Sequence, residues 1–170
     1  CLSPLLLVLC IAIKLDSPGP VFFKQKRVGI DKKHFYILKF RTMRIDTPHD
    51  MPTHLLHDPD QYITRMGHFL RKTSMDELPQ LFNVLAGDMS LVGPRPPLPQ
   101  EVQNYSLEDR KRLNVIPGLT CLWQISGRSD IPFSKQVKLD KEYIRARGFR
   151  EDLKILFLTI PAILTGKGAY

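Results

Sequence analysis

The sequence predicts an α+β fold, mostly helical, with a small β-hairpin, the second half of a re-entrant membrane helix at its start, and interfacial amphipathic helices. Three observations carry this prediction. An uncharged apolar run opens the chain, two strand-like segments flank one short turn, and helix-period apolar patterns fill the second half. At 170 residues the chain suits one domain over 1–170, with a membrane segment at 1–16 and the remainder at 17–170.

Residues 1–13 carry no charge, and Lys14 ends the run. A spanning helix needs about 20 apolar residues, so this piece is too short to cross a bilayer. Ser3-Pro4 lies inside it, and proline there breaks or kinks a helix. Two readings stand: a buried core helix, or half of a broken helix that dips into one leaflet and returns. The flank favours the second. Nine basic residues fall between Lys14 and Arg44, opposed by Asp16 and Asp31 alone, as on the cytoplasmic side of a membrane facing anionic lipid. No basic n-region or cleavage site marks a signal peptide. The start at Cys1, in mid-run, leads us to expect a fragment of a longer chain.

Next come a turn at Ser17-Pro18-Gly19-Pro20 and two strand-like segments, 21–23 and 34–40, able to pair across 29–33. Residues 46–60 read as a polar loop. Its His49, His54 and His57, with Asp50 and Asp58, match no zinc spacing. Residues 62–72 carry a mixed helical pattern. Leu78, Leu81, Phe82 and Leu85 fall on one helix face, with Gly87 at the capping position. A polar helix is expected over 101–114, a structured loop over 117–128, and a helix over 134–147. An apolar helix is expected over 153–164, interrupted by Pro161.

Composition narrows function. With 43% hydrophobic and 25% charged residues the chain can bury a core. A net charge of +8 calls for an anionic partner: nucleic acid, phosphorylated metabolite or acidic lipid. Cys1, Cys10 and Cys121 form no disulfide framework. No Walker, G-x-G-x-x-G or G-x-S-x-G pattern occurs.

Three segments could do chemistry. Ser74-x-x-Glu77 matches a capping box, but a cap at Ser74 puts Pro79 inside the helix; a start at Asp76 puts Pro79 in the first turn, where proline is tolerated. A carboxylate at a helix start stays ionised, and the same helix end attracts phosphate. Asp76 is therefore either a plain cap or a nucleophile or magnesium ligand beside a phosphoryl group, with Glu77 able to help hold metal. Arg95 sits among Pro94, Pro96 and Pro97, a preset guanidinium suited to phosphate or simply a solvated turn residue. The stretch 117–128 mixes Trp123, Gln124 and Arg128 with glycines, which suits a base and a phosphate or a packed hairpin.

Taken together, 17–29, Lys39-Phe40-Arg41-Thr42-Met43, 71–96 and 117–128 closely resemble the bacterial sugar transferase family, the monotopic phosphoglycosyl transferases. The C-terminal stretch 152–170 resembles larger members. The resemblance implies a re-entrant helix broken at Ser3-Pro4 in the cytoplasmic leaflet of the bacterial inner membrane. It implies a catalytic Asp76-Glu77 dyad with magnesium, a UDP-sugar donor and a polyprenyl phosphate acceptor, and leaves room for a homo-oligomer. On this basis Lys39, Arg41, Arg71 and Arg95 are expected to bind phosphate, and Gln124 and Arg128 the nucleotide. Cys121 stands where the family commonly has glycine, and Gly148-Phe149-Arg150 replaces a more aromatic stretch. A basic lipid-binding module without activity would account for the charge but not for the dyad. A nucleic-acid binder finds no motif here.

Overall fold

The computed structural model describes residues 2–47 and 58–165. Cys1, the histidines at 49, 54 and 57, Asp50, and the terminal 166–170 lie outside the described residues.

Helix α1 (Ser3–Asp16) is continuous, with Pro4 in its first turn, where the missing N–H costs nothing. It buries Leu9 and Ile13 against Phe40 of the hairpin and Leu70 of helix α2 (Arg65–Thr73). Its opposite face leaves Leu7, Val8, Ile11 and Leu15 exposed. One face of α1 is therefore core, as the buried-helix reading expected, and the other carries exposed apolar side chains. No described helix is long and apolar enough to cross a membrane.

Strands β1 (Phe22–Val28) and β2 (His34–Phe40) form the expected antiparallel hairpin, in register from Phe22 opposite Phe40 to Val28 opposite His34. β1 is longer than 21–23 because its basic residues alternate: Lys24 and Lys26 face outward while Gln25 and Arg27 turn in. After β2 the chain passes beside 62–64, where the Thr64 amide donates to the Thr42 carbonyl. Asp16 accepts from the Met66 amide at 2.9 Å, so the end of α1 meets the positive start of α2. Gly67 of α2 crosses this stretch so closely that a methyl group would collide with the Thr42 carbonyl.

A 3-10 turn (Met75–Gln80) runs into helix α3 (Leu81–Ala86), which ends at Gly87 with φ 85°, the expected cap. Of the face expected from Leu78, Leu81, Phe82 and Leu85, only Leu78, ahead of α3, packs against the core. Phe82 and Leu85 are 53% and 83% exposed, and the buried residue is Asn83. Asn83 accepts from the Leu38 amide and donates to the Tyr36 carbonyl, satisfying the free edge of β2.

Strands β3 (Ser90–Val92) and β4 (Gly118–Thr120) pair in parallel, so the expected loop at 117–128 is instead a strand followed by helix α5 (Leu122–Ser126). The polar helix expected over 101–114 is broken. Helix α4 (Pro99–Gln103) gives way to a 3-10 turn (Asp109–Asn114), because the chain folds back to bury Tyr105 with Arg112. Helices α6 (Phe133–Ala146) and α7 (Phe149–Thr165) complete the chain. Pro161 does not interrupt α7: Ile155 is fully buried with Val92 and Tyr143, and that packing carries the helix past one lost hydrogen bond. Cys121 packs with Trp123 and Ile131.

Candidate active site

Local sequence sets the dyad. Helix α2 is capped by Thr64, whose hydroxyl accepts from the Gly67 amide, and it ends at Ser74 in the left-handed region. Ser74 spends itself as that C-cap and makes no side-chain cap, so the capping box does not form. The 3-10 turn then starts at Met75, one residue before the expected boundary, with Asp76 and Glu77 in its first turn.

Cations from two other elements meet them. Lys39, on β2, lies 2.7 Å from Glu77 Oε1 and 3.8 Å from Asp76 Oδ2. Arg95 Nη2 reaches the same Glu77 oxygen at 2.9 Å. The side chains of Lys39, Asp76 and Glu77 are only 16%, 14% and 18% exposed. Arg71 donates through Nε to the Thr42 hydroxyl at 3.0 Å and lies within electrostatic reach of Asp76.

The two carboxylates are not equivalent. Burial pushes Glu77 up, but Arg95 and Lys39 outweigh it and hold the group well below the usual carboxylate range. For Asp76 burial wins. Lys39 opposes it, the Glu77 charge adds to it, and the net direction is upward. The helix-start argument foresaw a fully ionised Asp76; the cost of desolvation runs against it.

Other expected binders make contacts of their own. Arg41 donates to the Ser17 carbonyl and hydroxyl at 2.8 and 2.9 Å and to the Pro18 carbonyl, tying off the end of α1 instead of facing the dyad. Gln124 accepts from Cys121 Sγ at 3.1 Å, on the helix whose start borders Arg95. Arg128 follows Gly127 at a positive φ of 52° and forms no described ion pair with the dyad. Sequence reasoning missed Arg27 and Asn83. A period-two reading of β1 turns Arg27 inward; Asn83 lies on the side of the helix opposite Leu78, Leu81, Phe82 and Leu85, where no sequence signal marks it.

The pair fits magnesium in one mode. No group of three His, Cys, Asp or Glu gathers among the described residues, which excludes a cage built by them alone. Adjacent carboxylate oxygens do suit an ion shared with substrate phosphates.

A largely buried carboxylate pair beside Lys39 and Arg95 is an arrangement that can receive a phosphate-bearing ligand. The chain belongs to the bacterial sugar transferase family, whose model matches residues 1–166. It is 46% identical over 162 residues to the galactosyl transferase CpsE of Streptococcus agalactiae, covering 89% of this chain and 36% of that protein. It is 41% identical to the UDP-glucose:undecaprenyl-phosphate glucose-1-phosphate transferase of Xanthomonas campestris, over 99% of this chain and 37% of that one. It is 38% identical to the exopolysaccharide production protein ExoY of Rhizobium meliloti, over 99% and 80%. The chain thus spans little more than a third of the first two relatives.

Proposed function

We propose that this chain is the catalytic domain of a phosphoglycosyl transferase that moves a sugar 1-phosphate from a UDP-sugar to polyprenyl (undecaprenyl) phosphate, releasing UMP, in the assembly of an exopolysaccharide, O-antigen or capsule. The observation that carries the proposal is the division of labour in the dyad. Glu77 takes close contacts from both Lys39 and Arg95, whereas Asp76 has Lys39 only at 3.8 Å, which makes Asp76 the less tightly held carboxylate and the one to react. The names of the Xanthomonas and Rhizobium relatives support the substrate class and the pathway.

In the first step an Asp76 carboxylate oxygen attacks the β-phosphorus of the donor. The bond from that phosphorus to the bridging oxygen breaks, UMP leaves with the electron pair, and a phosphosugar-aspartyl ester remains. A phosphate oxygen of the acceptor then attacks the same phosphorus, forming the diphosphate and restoring the Asp76 carboxylate. Lys39 and Arg71 favour the ionised form of Asp76 that the attack requires, and Arg95 stands ready to offset charge on the transferring group. Bound magnesium, held by Asp76 and Glu77, would neutralise diphosphate charge.

The exposed Leu7, Val8, Ile11 and Leu15 of α1 and Phe157, Ile160 and Leu164 of α7 support an interfacial placement. On this reading α1 is the returning half of a re-entrant helix, with the catalytic part on the cytoplasmic face of the bacterial inner membrane. An inactive lipid-binding module would leave the buried dyad unexplained. UMP release from UDP-sugars with magnesium, with and without polyprenyl phosphate, tests the proposal. A first turnover of UMP without acceptor is expected, and strict dependence on acceptor would point to direct transfer.

A further inference from the structure

Arg27 belongs to none of the segments expected to do chemistry, yet it is half-buried against the loop that carries Arg95. Its Nη1 donates to the Pro96 carbonyl at 3.0 Å and its Nη2 to Gln25 Oε1 at 2.6 Å. The next residue, Val28, donates its amide to the Pro97 carbonyl at 3.0 Å. On the other side of Arg95, the Gly118 amide donates to the Pro94 carbonyl at 3.0 Å. The carbonyls flanking Arg95 are therefore all tied down, two by the end of β1 and one by β4. Three prolines remove most of the remaining backbone freedom. What emerges from this bracket is one guanidinium, 2.9 Å from Glu77.

The arrangement is held against repulsion. Burial and the neighbouring Arg95 charge pull Arg27 down to about 10, while Glu101 and Glu77 oppose the shift. A lysine-like point charge or a neutral donor would suffice to hold a carbonyl in a merely structural turn. A half-buried guanidinium within electrostatic reach of a second one is unfavourable unless the geometry of the loop matters.

We propose that Arg27 is a positioning residue for the transfer reaction: through the Pro96 carbonyl it fixes the Arg95 guanidinium on Glu77, and so leaves Asp76 the less tightly held member of the dyad. The inference rests on the phosphoglycosyl transfer reading above. Arg27 itself touches neither Asp76 nor Glu77 by hydrogen bond or ion pair among the described contacts.

A double-mutant cycle with Arg27→Met and Arg95→Met, in the full-length protein, tests it by UMP release and by thermal melting. Arg27→Met alone should lower kcat/KM by about 10- to 100-fold, the scale of a misplaced catalytic group. In the Arg95→Met background the same change should cost less than about 3-fold, because its effect runs through Arg95. Arg27→Lys keeps the charge and one donor, so it should recover part of the activity and guards against a Met variant that fails to fold. The melting-temperature losses should likewise fall short of their sum. Additive losses in both measurements, or full activity in Arg27→Met, would overturn the proposal. If the unmodified protein released no UMP from any donor, the transfer reading would fall, and the melting cycle alone would then judge whether Arg27 holds Arg95.

Discussion

At the scale of single residues, the dyad makes two predictions. Asp76→Asn is nearly isosteric and removes a charge that burial disfavours. UMP release should be abolished while the melting temperature stays the same or rises. A variant retaining near-normal turnover would refute Asp76 as nucleophile. Lys39→Met removes the largest opposing influence on Asp76, so its carboxyl should hold its proton to higher pH. The acid limb of the pH–rate profile should therefore move upward relative to the unmodified enzyme. A limb that stays in place would show that another group sets it.

Elements carry predictions of their own. Asn83 joins α3 to the edge of β2 one residue before Lys39, through the Leu38 amide at 3.0 Å and the Tyr36 carbonyl at 2.8 Å. Asn83→Ala should cost about 1–3 kcal/mol, the scale of leaving buried backbone groups unpaired. It should lower kcat as well, since Lys39 loses its register against Glu77. Denaturant melts and UMP assays on the same sample check both effects. A second buried pair, Arg112 with Asp140, locks the 109–114 turn to α6. Burial lifts Asp140 to about 6 against the pull of Arg112. The unfolded chain ionises this group from its ordinary range near 3.8 upward, while the folded chain keeps the proton until about 6. Its contribution to stability is therefore present at low pH and declines as pH rises through that window. Arg112→Met strands the charge, and should cost about 3–5 kcal/mol near neutrality and less at pH 5, where Asp140 binds its proton. An equal cost at both pH values would show that the pair is lost for packing alone.

Legibility differed by element for physical reasons. The β1–β2 hairpin, α6 and the Gly87 cap were readable because each has a local signal: alternation, helical period, or a required positive φ. The parallel β3–β4 pair was not, since three-residue strands joined through a distant crossover leave no periodic trace. The period of Leu78, Leu81, Phe82 and Leu85 found a helix but not its buried side, because a polar residue, Asn83, is what the β2 edge demanded. Within the site, Asp76, Glu77 and Arg95 stand out by their place at a helix start and among prolines, whereas Lys39 is singled out only by the family resemblance. Arg41 serves backbone carbonyls, a role that a guanidinium fills as readily as binding phosphate and that residue type alone does not reveal.

For the whole molecule, the exposed apolar faces of α1 and α7 predict how it meets a bilayer. In the full-length protein, a single cysteine at Lys14 and another placed ahead of the α1 run should both react from the cytoplasmic side only. Labelling of the second from the opposite side would mean a spanning helix and would end the re-entrant reading. The contact between Gly93 and Gly118 has a wider consequence. Neither position has room for a methyl group, because each looks directly onto the other's backbone. Two main chains crossing there define where the bracket around Arg95 begins, so a spot that tolerates no side chain carries no charge of its own. In a saturation screen, inactivating alleles should cluster at this crossing as densely as at the dyad.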